Sequence, residues 1–271
     1  MRYYPCQIGD RAEGGQIMKV GIIGATGWLG GALGAALLNK RIIDQGDLYV
    51  LNRRGAGSDY FGHQPHWAKD VSDLAEASDV IVVSVRPEDW PALNLNARGK
   101  LVISFMAAVP CDVLGRSGGR IVRAMPNAAA EVGTSYTPWF ATMDVNAQDR
   151  IWVGTLLDAL GQQEPLSVEA HLDVLTAVSG AGPAYPAMLA ATMKAFLIGH
   201  GLASGVAERA ALNVVREGGR LVGPDPQALV DRFVAYNGTT AAALREMNDQ
   251  GVITGLKSGM EAGVAKTRGG G

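Results

Sequence analysis

Three glycines at intervals of three, Gly24, Gly27 and Gly30, stand in the segment GIIGATGWLGG from Gly21 to Gly31. Gly24 permits a tight turn, Gly27 lets backbone amides approach a pyrophosphate, and Gly30 lets a helix pack closely on a strand. A helix opening there presents its positive end to an anion. The residues in a position to grip such a ligand are Gly24, Ala25, Thr26, Gly27, Trp28 and Leu29. The spacing is G-x-x-G-x-x-G rather than G-x-G-x-x-G, and a glycine triplet also occurs in plain turns. Its place after the first strand-like run and before the first helical run favours the dinucleotide reading. About 22 residues past Gly30, where an Asp or Glu would bind a ribose 2′-hydroxyl, the sequence reads Asn52, Arg53, Arg54. Two guanidinium groups suit a 2′-phosphate, and with no carboxylate to repel it the pattern favours NADP(H) over NAD(H). The alternative is a pair of solvated arginines on a loop.

The elements that must position these residues are legible as periodicities. Short apolar, β-branched runs occur at Lys19–Gly24, Leu48–Asn52, Asp79–Val85, Lys100–Phe105 and Arg120–Ala124. Helical spacing lies between them, as at Leu29, Leu33, Leu37 and Leu38. Alternation of this kind predicts an α/β unit with right-handed crossovers and a mostly parallel, Rossmann-like sheet. Thr137–Thr142, a helical pattern from Ile151 to Leu160, and Gln162–Val168 close it, so the sheet domain is expected over residues 18–166. Beyond it the pattern becomes helix after helix: Pro183–Ile198, Val206–Val222, Gln227–Val234, Thr239–Asn248 and Val252–Ala265. This all-α half, residues 167–271, carries more apolar surface than a small bundle hides, so it is expected to form a homodimer or a higher homo-oligomer. Packing against the sheet domain of the same chain is the alternative outlet. Residues 1–17 form an N-terminal extension with Arg2, Asp10, Arg11 and Glu13 and no continuous apolar stretch, unlike a signal peptide.

Composition narrows the function classes. The 271 residues carry 24 Lys+Arg and 26 Asp+Glu, a net charge of −2, which gives no basic field for nucleic acid or anionic lipid. Cys6 and Cys111 form no CxxC pair, and the four histidines have no zinc-ligand spacing with other donors, so no disulfide framework and no metal site are expected. The longest uncharged run, Val174–Met193, holds Pro183 and Pro186 and reads as a soluble interior segment rather than a membrane span. A cytoplasmic location is the default expectation.

Four segments in order resemble the pyrroline-5-carboxylate reductase family, and the likeness runs from about Lys19 to the C-terminus. Ser84-Val85-Arg86-Pro87 is similar to that family's strand ending in a basic residue and proline. VRAMPNAAAEVG, Val122–Gly133, resembles its Arg-x-Met-Pro-Asn segment beside the nicotinamide half of the site. SGAGPAY, Ser179–Tyr185, resembles the turn opening its long dimer helix, and NGTTAAAL, Asn237–Leu244, its Gly-Gly-Thr-Thr helix start.

The resemblance implies reduction of a cyclic imine by NADPH, most simply 1-pyrroline-5-carboxylate to proline, with the active site near the subunit boundary. It implies cofactor contacts from Val85, Arg86, Pro87, Ala107 and Asn127, and substrate contacts from Ala235, Asn237, Gly238, Thr239 and Thr240. A protonated imine is already electrophilic and needs orientation more than a strong acid. Amides at the helix start suit its carboxylate, and Thr240 suits its ring nitrogen as the catalytic residue. Thr239 and Thr240 would serve equally as N-caps.

Departures bear on the substrate. The glycine loop holds one residue more than the family's usual form, at Thr26, and Ala108 replaces the second residue of an Ala-Gly-Val loop. Ala235, Tyr236 and Asn237 stand where Ser-Pro-Gly is usual, and Ala191 and Ala195 where Glu and Asp are usual. A reductase of a different cyclic imino acid, or a non-catalytic NADP-binding sensor, therefore stays open. Lys194 reads as a solvated or interface lysine, Cys111 as a buried small residue, and His63 and His66 as loop residues facing solvent or capping the loop. No Tyr-x-x-x-Lys occurs.

Overall fold

A computed structural model describes residues 18–57 and 59–269. The expected extension over residues 1–17, with Cys6, lies outside the described residues. The first unit alternates β1 (Val20–Ile23), α1 (Trp28–Asn39), β2 (Leu48–Leu51), β3 (His66–Trp67), α2 (Val71–Ala77), β4 (Val80–Val83) and β5 (Leu101–Ser104). It continues with α3 (Cys111–Leu114), β6 (Arg120–Ala124), β7 (Ser135–Ala141), α4 (Ala147–Asp158), β8 (Gly161–Leu166) and α5 (Glu169–Leu175). The strands form one sheet in the order β3-β2-β1-β4-β5-β6-β7-β8. All neighbouring pairs are parallel except β6 with β7, which is antiparallel.

Strands covered on both faces lose their alternation and become continuous Val/Ile/Leu runs. β1, β4 and β5 are such runs, buried at every position. Two apolar layers follow. One holds Val20, Ile22, Leu33, Leu37, Val82 and Leu156; the other, across the sheet, holds Ile23, Leu74, Ile81, Val83, Leu114 and Ile121. β8 lies at one edge, with charged or polar residues such as Glu164, and β3 at the other. β3 departs from the loop reading of His66: the ring stays exposed but stacks on Tyr49 with centroids 4.9 Å apart. Two residues are too few for periodicity to register, and their pairing depends on β2.

The sheet unit also extends past Leu166. The described residues up to Gly180 belong to one compact unit, in which α5 is tied to β6 by ion pairs from the buried Arg123, to Glu169 at 2.7 Å and to Asp173 at 3.3 Å. Burial alone would raise the Glu169 carboxyl, but the Arg123 guanidinium and the Cys111 amide outweigh it and hold the group below the usual carboxylate range. Cys111 is buried, and burial with the Glu169 charge pushes its thiol up to about 12. Its nucleophilic form is thereby suppressed.

The second unit, Ala181–Lys266, is helical: α6 (Ala184–Gly199), α7 (Ser204–Gly219), α8 (Pro226–Tyr236), α9 (Thr239–Asp249) and α10 (Val252–Thr267). These helices follow the expected spans within a few residues, and α8 is longer than its apolar pattern indicated. Pro226 at the first helical position and Asp225, whose carboxylate accepts from the Ala228 amide, start α8 one residue early, and it runs two residues further, to Tyr236. Within this unit the buried apolar residues are small or few: Ala207, Ala211, Ala241 and Val264. The stretch Glu169–Gly199 is long and apolar enough by length and composition to cross a membrane. A π-type turn at Thr176–Gly180 and Pro183 interrupt it.

Candidate active site

β1 runs directly into the glycine loop. Gly24 has φ +84°, and a Cβ there would collide with the Ser84 carbonyl just past the end of the neighbouring β4. A Cβ on Gly30 would lie 2.5 Å from the Gly24 carbonyl oxygen, so that glycine lets α1 sit down on the loop. The Gly24 and Ala25 amides donate to the Leu51 carbonyl at 2.8 and 3.2 Å, and the Gly27 amide to the Gly24 carbonyl at 2.9 Å. Gly27 caps α1 in an extended conformation, with no side-chain hydrogen bond and no acidic residue in the first turn. The first amides of α1 are therefore left for an anion.

A cleft of about 1350 Å³ opens at the C-terminal ends of β1, β2 and β4. Gly24, Thr26, Gly27, Trp28 and Leu29 line it on one side, and Asn52, Arg53, Arg54, Val85 and Arg86 on the others. Two chain segments 22 residues or more apart in sequence thus meet around one space. Pro87 begins the short 3-10 helix that follows Arg86. Ala25 is fully buried in the core, so its side chain is directed away from the cleft.

Ala107 and Asn127 lie outside this cleft's lining. Asn127 is buried and its amide is used at both ends: Oδ1 accepts from the Ala129 amide at 2.9 Å and Nδ2 donates to the Ser179 carbonyl at 2.8 Å. It stitches the turn after β6 to the π-type turn after α5.

Several residues on the cleft carry no motif signal. Asp89, in the helix Pro87–Leu93, accepts from Arg53 Nη2 at 2.9 Å, so one of the two guanidiniums already has a carboxylate partner. Asp70 and Phe105 also line the space. Asp89 is recognisable only once β4 is known to neighbour β1, because the pair spans 36 positions.

In the second unit, Asn237 takes the left-handed conformation at φ 56° and ends α8. Gly238 is the N-cap of α9, extended and without a side-chain cap, so Thr239 and Thr240 occupy the first two helical positions. The expectation that these threonines act as caps is corrected by this register. Ala235, Thr239 and Thr240 are exposed and Gly238 half-buried, while Arg245 donates to Asn237 Oδ1 at 2.8 Å. Lys194 pairs with Glu208 at 2.7 Å, as befits a surface lysine.

Comparisons place this architecture. Residues 169–269 match the family model for pyrroline-5-carboxylate reductase dimerisation, and residues 19–108 match that described as NADP oxidoreductase, coenzyme F420-dependent. A pyrroline-5-carboxylate reductase of Pseudomonas aeruginosa is 32% identical over 198 residues, covering 67% of this chain and 71% of that one. The chain belongs to the pyrroline-5-carboxylate reductase family. A second relative, the pyrroline-5-carboxylate reductase 2 of Bacillus subtilis, is 26% identical over 246 residues, 85% of this chain and 87% of its own. The fold agrees with a solved pyrroline carboxylate reductase of Plasmodium falciparum with NADP bound, at a TM-score of 0.82 and 24% identity, over 93% of this chain and 97% of that one. Against this family background, Tyr236 is 86% exposed beside the α9 start.

Proposed function

We propose that this protein reduces 1-pyrroline-5-carboxylate to proline with NADPH, acting in the cytoplasm as a homodimer or higher homo-oligomer. The observation that carries the reading is one cleft bounded both by the glycine loop and by Asn52, Arg53 and Arg54, in a chain of this family. The residues fit the cofactor. Gly24 and Gly30 leave a cradle that a Cβ would fill, the α1 amides are uncapped, and the two arginines favour a 2′-phosphate.

When bound, NADPH supplies the hydride. Thr26, Trp28 and Leu29 would hold the pyrophosphate through backbone amides, with Gly27, whose own amide is bonded to the Gly24 carbonyl, leaving room for its approach, and Val85, Arg86 and Pro87 would border the path toward the nicotinamide. Ala107 and Asn127 belong to the turns beyond it; Asn127, with both amide ends engaged, acts by fixing the loop that follows β6. Gly238, Thr239 and Thr240 offer uncapped amides to the substrate carboxylate, with Ala235 and Asn237 as neighbours. Because Thr240 is not an N-cap, its hydroxyl is available to orient the ring nitrogen, whose charge disappears on reduction. The exposed apolar faces of the second unit support self-association, and the same faces explain the hydropathy of Glu169–Gly199 without a membrane. The near-zero net charge supports a small-molecule partner rather than nucleic acid.

Tyr236, a bulky phenol in place of a small turn residue, favours a second reading in which another cyclic imino acid is the substrate. One experiment separates the readings: NADPH oxidation, followed by absorbance, on addition of 1-pyrroline-5-carboxylate and of six-membered and hydroxylated cyclic imines. Fastest turnover of 1-pyrroline-5-carboxylate is expected. Preference for another ring selects the second reading, and silence across the panel with intact NADPH binding leaves a non-catalytic NADP-binding protein.

A further inference from the structure

A buried side chain outside the sequence motifs also engages the glycine loop. Tyr60 is 1% exposed, and its hydroxyl donates to the Ala25 carbonyl at 3.1 Å. The ring is held on several sides. Tyr60 and His63 exchange backbone hydrogen bonds at 3.3 and 3.0 Å, and Trp67 and Phe61 meet the ring edge-on with centroids 6.0 and 5.0 Å away. Phe61 takes φ 52°, a conformation costly for an aromatic residue, to close this turn. On the other side α1 makes room: a Cβ on Gly34 would collide with the Tyr60 hydroxyl.

The peptide linking Ala25 to Thr26 is trans, as are all described peptide bonds. In a trans peptide the carbonyl and the following N–H point in opposite directions. A carbonyl drawn inward to Tyr60 therefore turns the Thr26 N–H outward, away from the core, at a residue that lines the cleft. Thr26 is also the position at which the loop is one residue longer than usual. We propose that Tyr60 is a positioning residue for cofactor binding, which locks the Ala25–Thr26 peptide so that the Thr26 amide faces the pyrophosphate. Burial pushes the phenol well above its ordinary range, so it stays a donor across working pH. The inference rests on the cofactor reading above.

The test uses full-length protein, wild type and Tyr60→Phe, titrated with NADP+ and with adenosine 2′-monophosphate, which has the 2′-phosphate but no pyrophosphate. Phe preserves the packing and removes only the hydroxyl. NADP+ affinity is expected to fall about fivefold, with adenosine 2′-monophosphate binding and melting temperature nearly unchanged. Equal weakening of both ligands, or of neither, overturns the proposal. Wild-type protein that binds no NADP+ overturns the cofactor reading itself, an outcome distinct from a variant that binds as well as wild type. Should Tyr60→Phe fail to fold, the Thr26 amide resonance of 15N-labelled wild type decides: a shift on adding inorganic pyrophosphate supports the proposal, and no shift overturns it.

Discussion

The two units of this chain treat their apolar residues in opposite ways. In the sheet unit, β1, β4 and β5 are buried at every position, and charged side chains that enter the interior bring partners. Arg123 meets Glu169 and Asp173, and Arg120 makes a two-pronged bond to the buried Asp149 at 2.6 and 2.8 Å. In the helical unit, no residue of α6 or α8 is buried, and Met188, Leu189, Phe196, Val230 and Phe233 are exposed. One unit closes its own core. The other carries a core's worth of side chains on its surface, which a second copy of the chain is suited to cover, in line with the match of residues 169–269 to a dimerisation family.

The largest effect should come from charging that surface. Phe196→Asp places a carboxylate where an apolar partner face is expected, and light scattering should show the assembly collapsing to single chains while the sheet unit keeps its NADPH affinity. An unchanged mass would remove Phe196 from the interface. Next in size is a lesion confined to the self-sufficient unit. Asp149→Asn leaves the partly buried Arg120 without its counterion and replaces one of the two carboxylate oxygens, which serve both Arg120 and the capping box with Asn146, by an amide donor. Chemical denaturation should register a loss of about 3 kcal/mol, with no change in assembly.

A smaller effect is expected where the sheet unit meets solvent. Arg53→Ala with Arg54→Ala should weaken NADPH about tenfold relative to NADH; the Asp89 pairing and the exposure of Arg53 keep the figure modest. Equal loss for both cofactors would remove the arginines from 2′-phosphate recognition. The smallest is pH-dependent. Glu169 titrates below its ordinary range in the folded chain, so its contribution is fully present above the unfolded value, about 4.3, and is lost as pH falls below it. Glu169→Gln should lower stability by less than about 1 kcal/mol near neutrality, since the group is largely screened, and the difference from wild type should vanish in thermal melts at acid pH.

The legible and illegible parts divide along the same physical line. β1, β4 and β5 were readable because burial on both faces writes continuous Val/Ile runs, and the glycine loop because Gly24 and Gly30 have no room for a Cβ. The helix ends near Gly199 and Asp249 were readable from apolar patches and turn residues. What depends on distant partners was not. Arg123 looks like any strand residue until α5 supplies Glu169 and Asp173, a pairing that holds α5 against the sheet. Asp89 and Tyr60 act on the cleft across 36 and 35 positions, respectively. The register at Gly238, which frees Thr240 from capping, depends on Asn237 closing α8 in a left-handed turn.

Thr240 carries the chemical claim, and one comparison tests it most directly: steady-state NADPH consumption and proline formation from 1-pyrroline-5-carboxylate by wild type and Thr240→Ala, with NADPH affinity measured on both. The account predicts one proline per NADPH in wild type. For the variant it predicts turnover lowered about tenfold or more, unchanged NADPH affinity, and substantial rescue by Thr240→Ser. Wild type that forms no proline from any amount of NADPH, or a variant with unchanged constants, would contradict it.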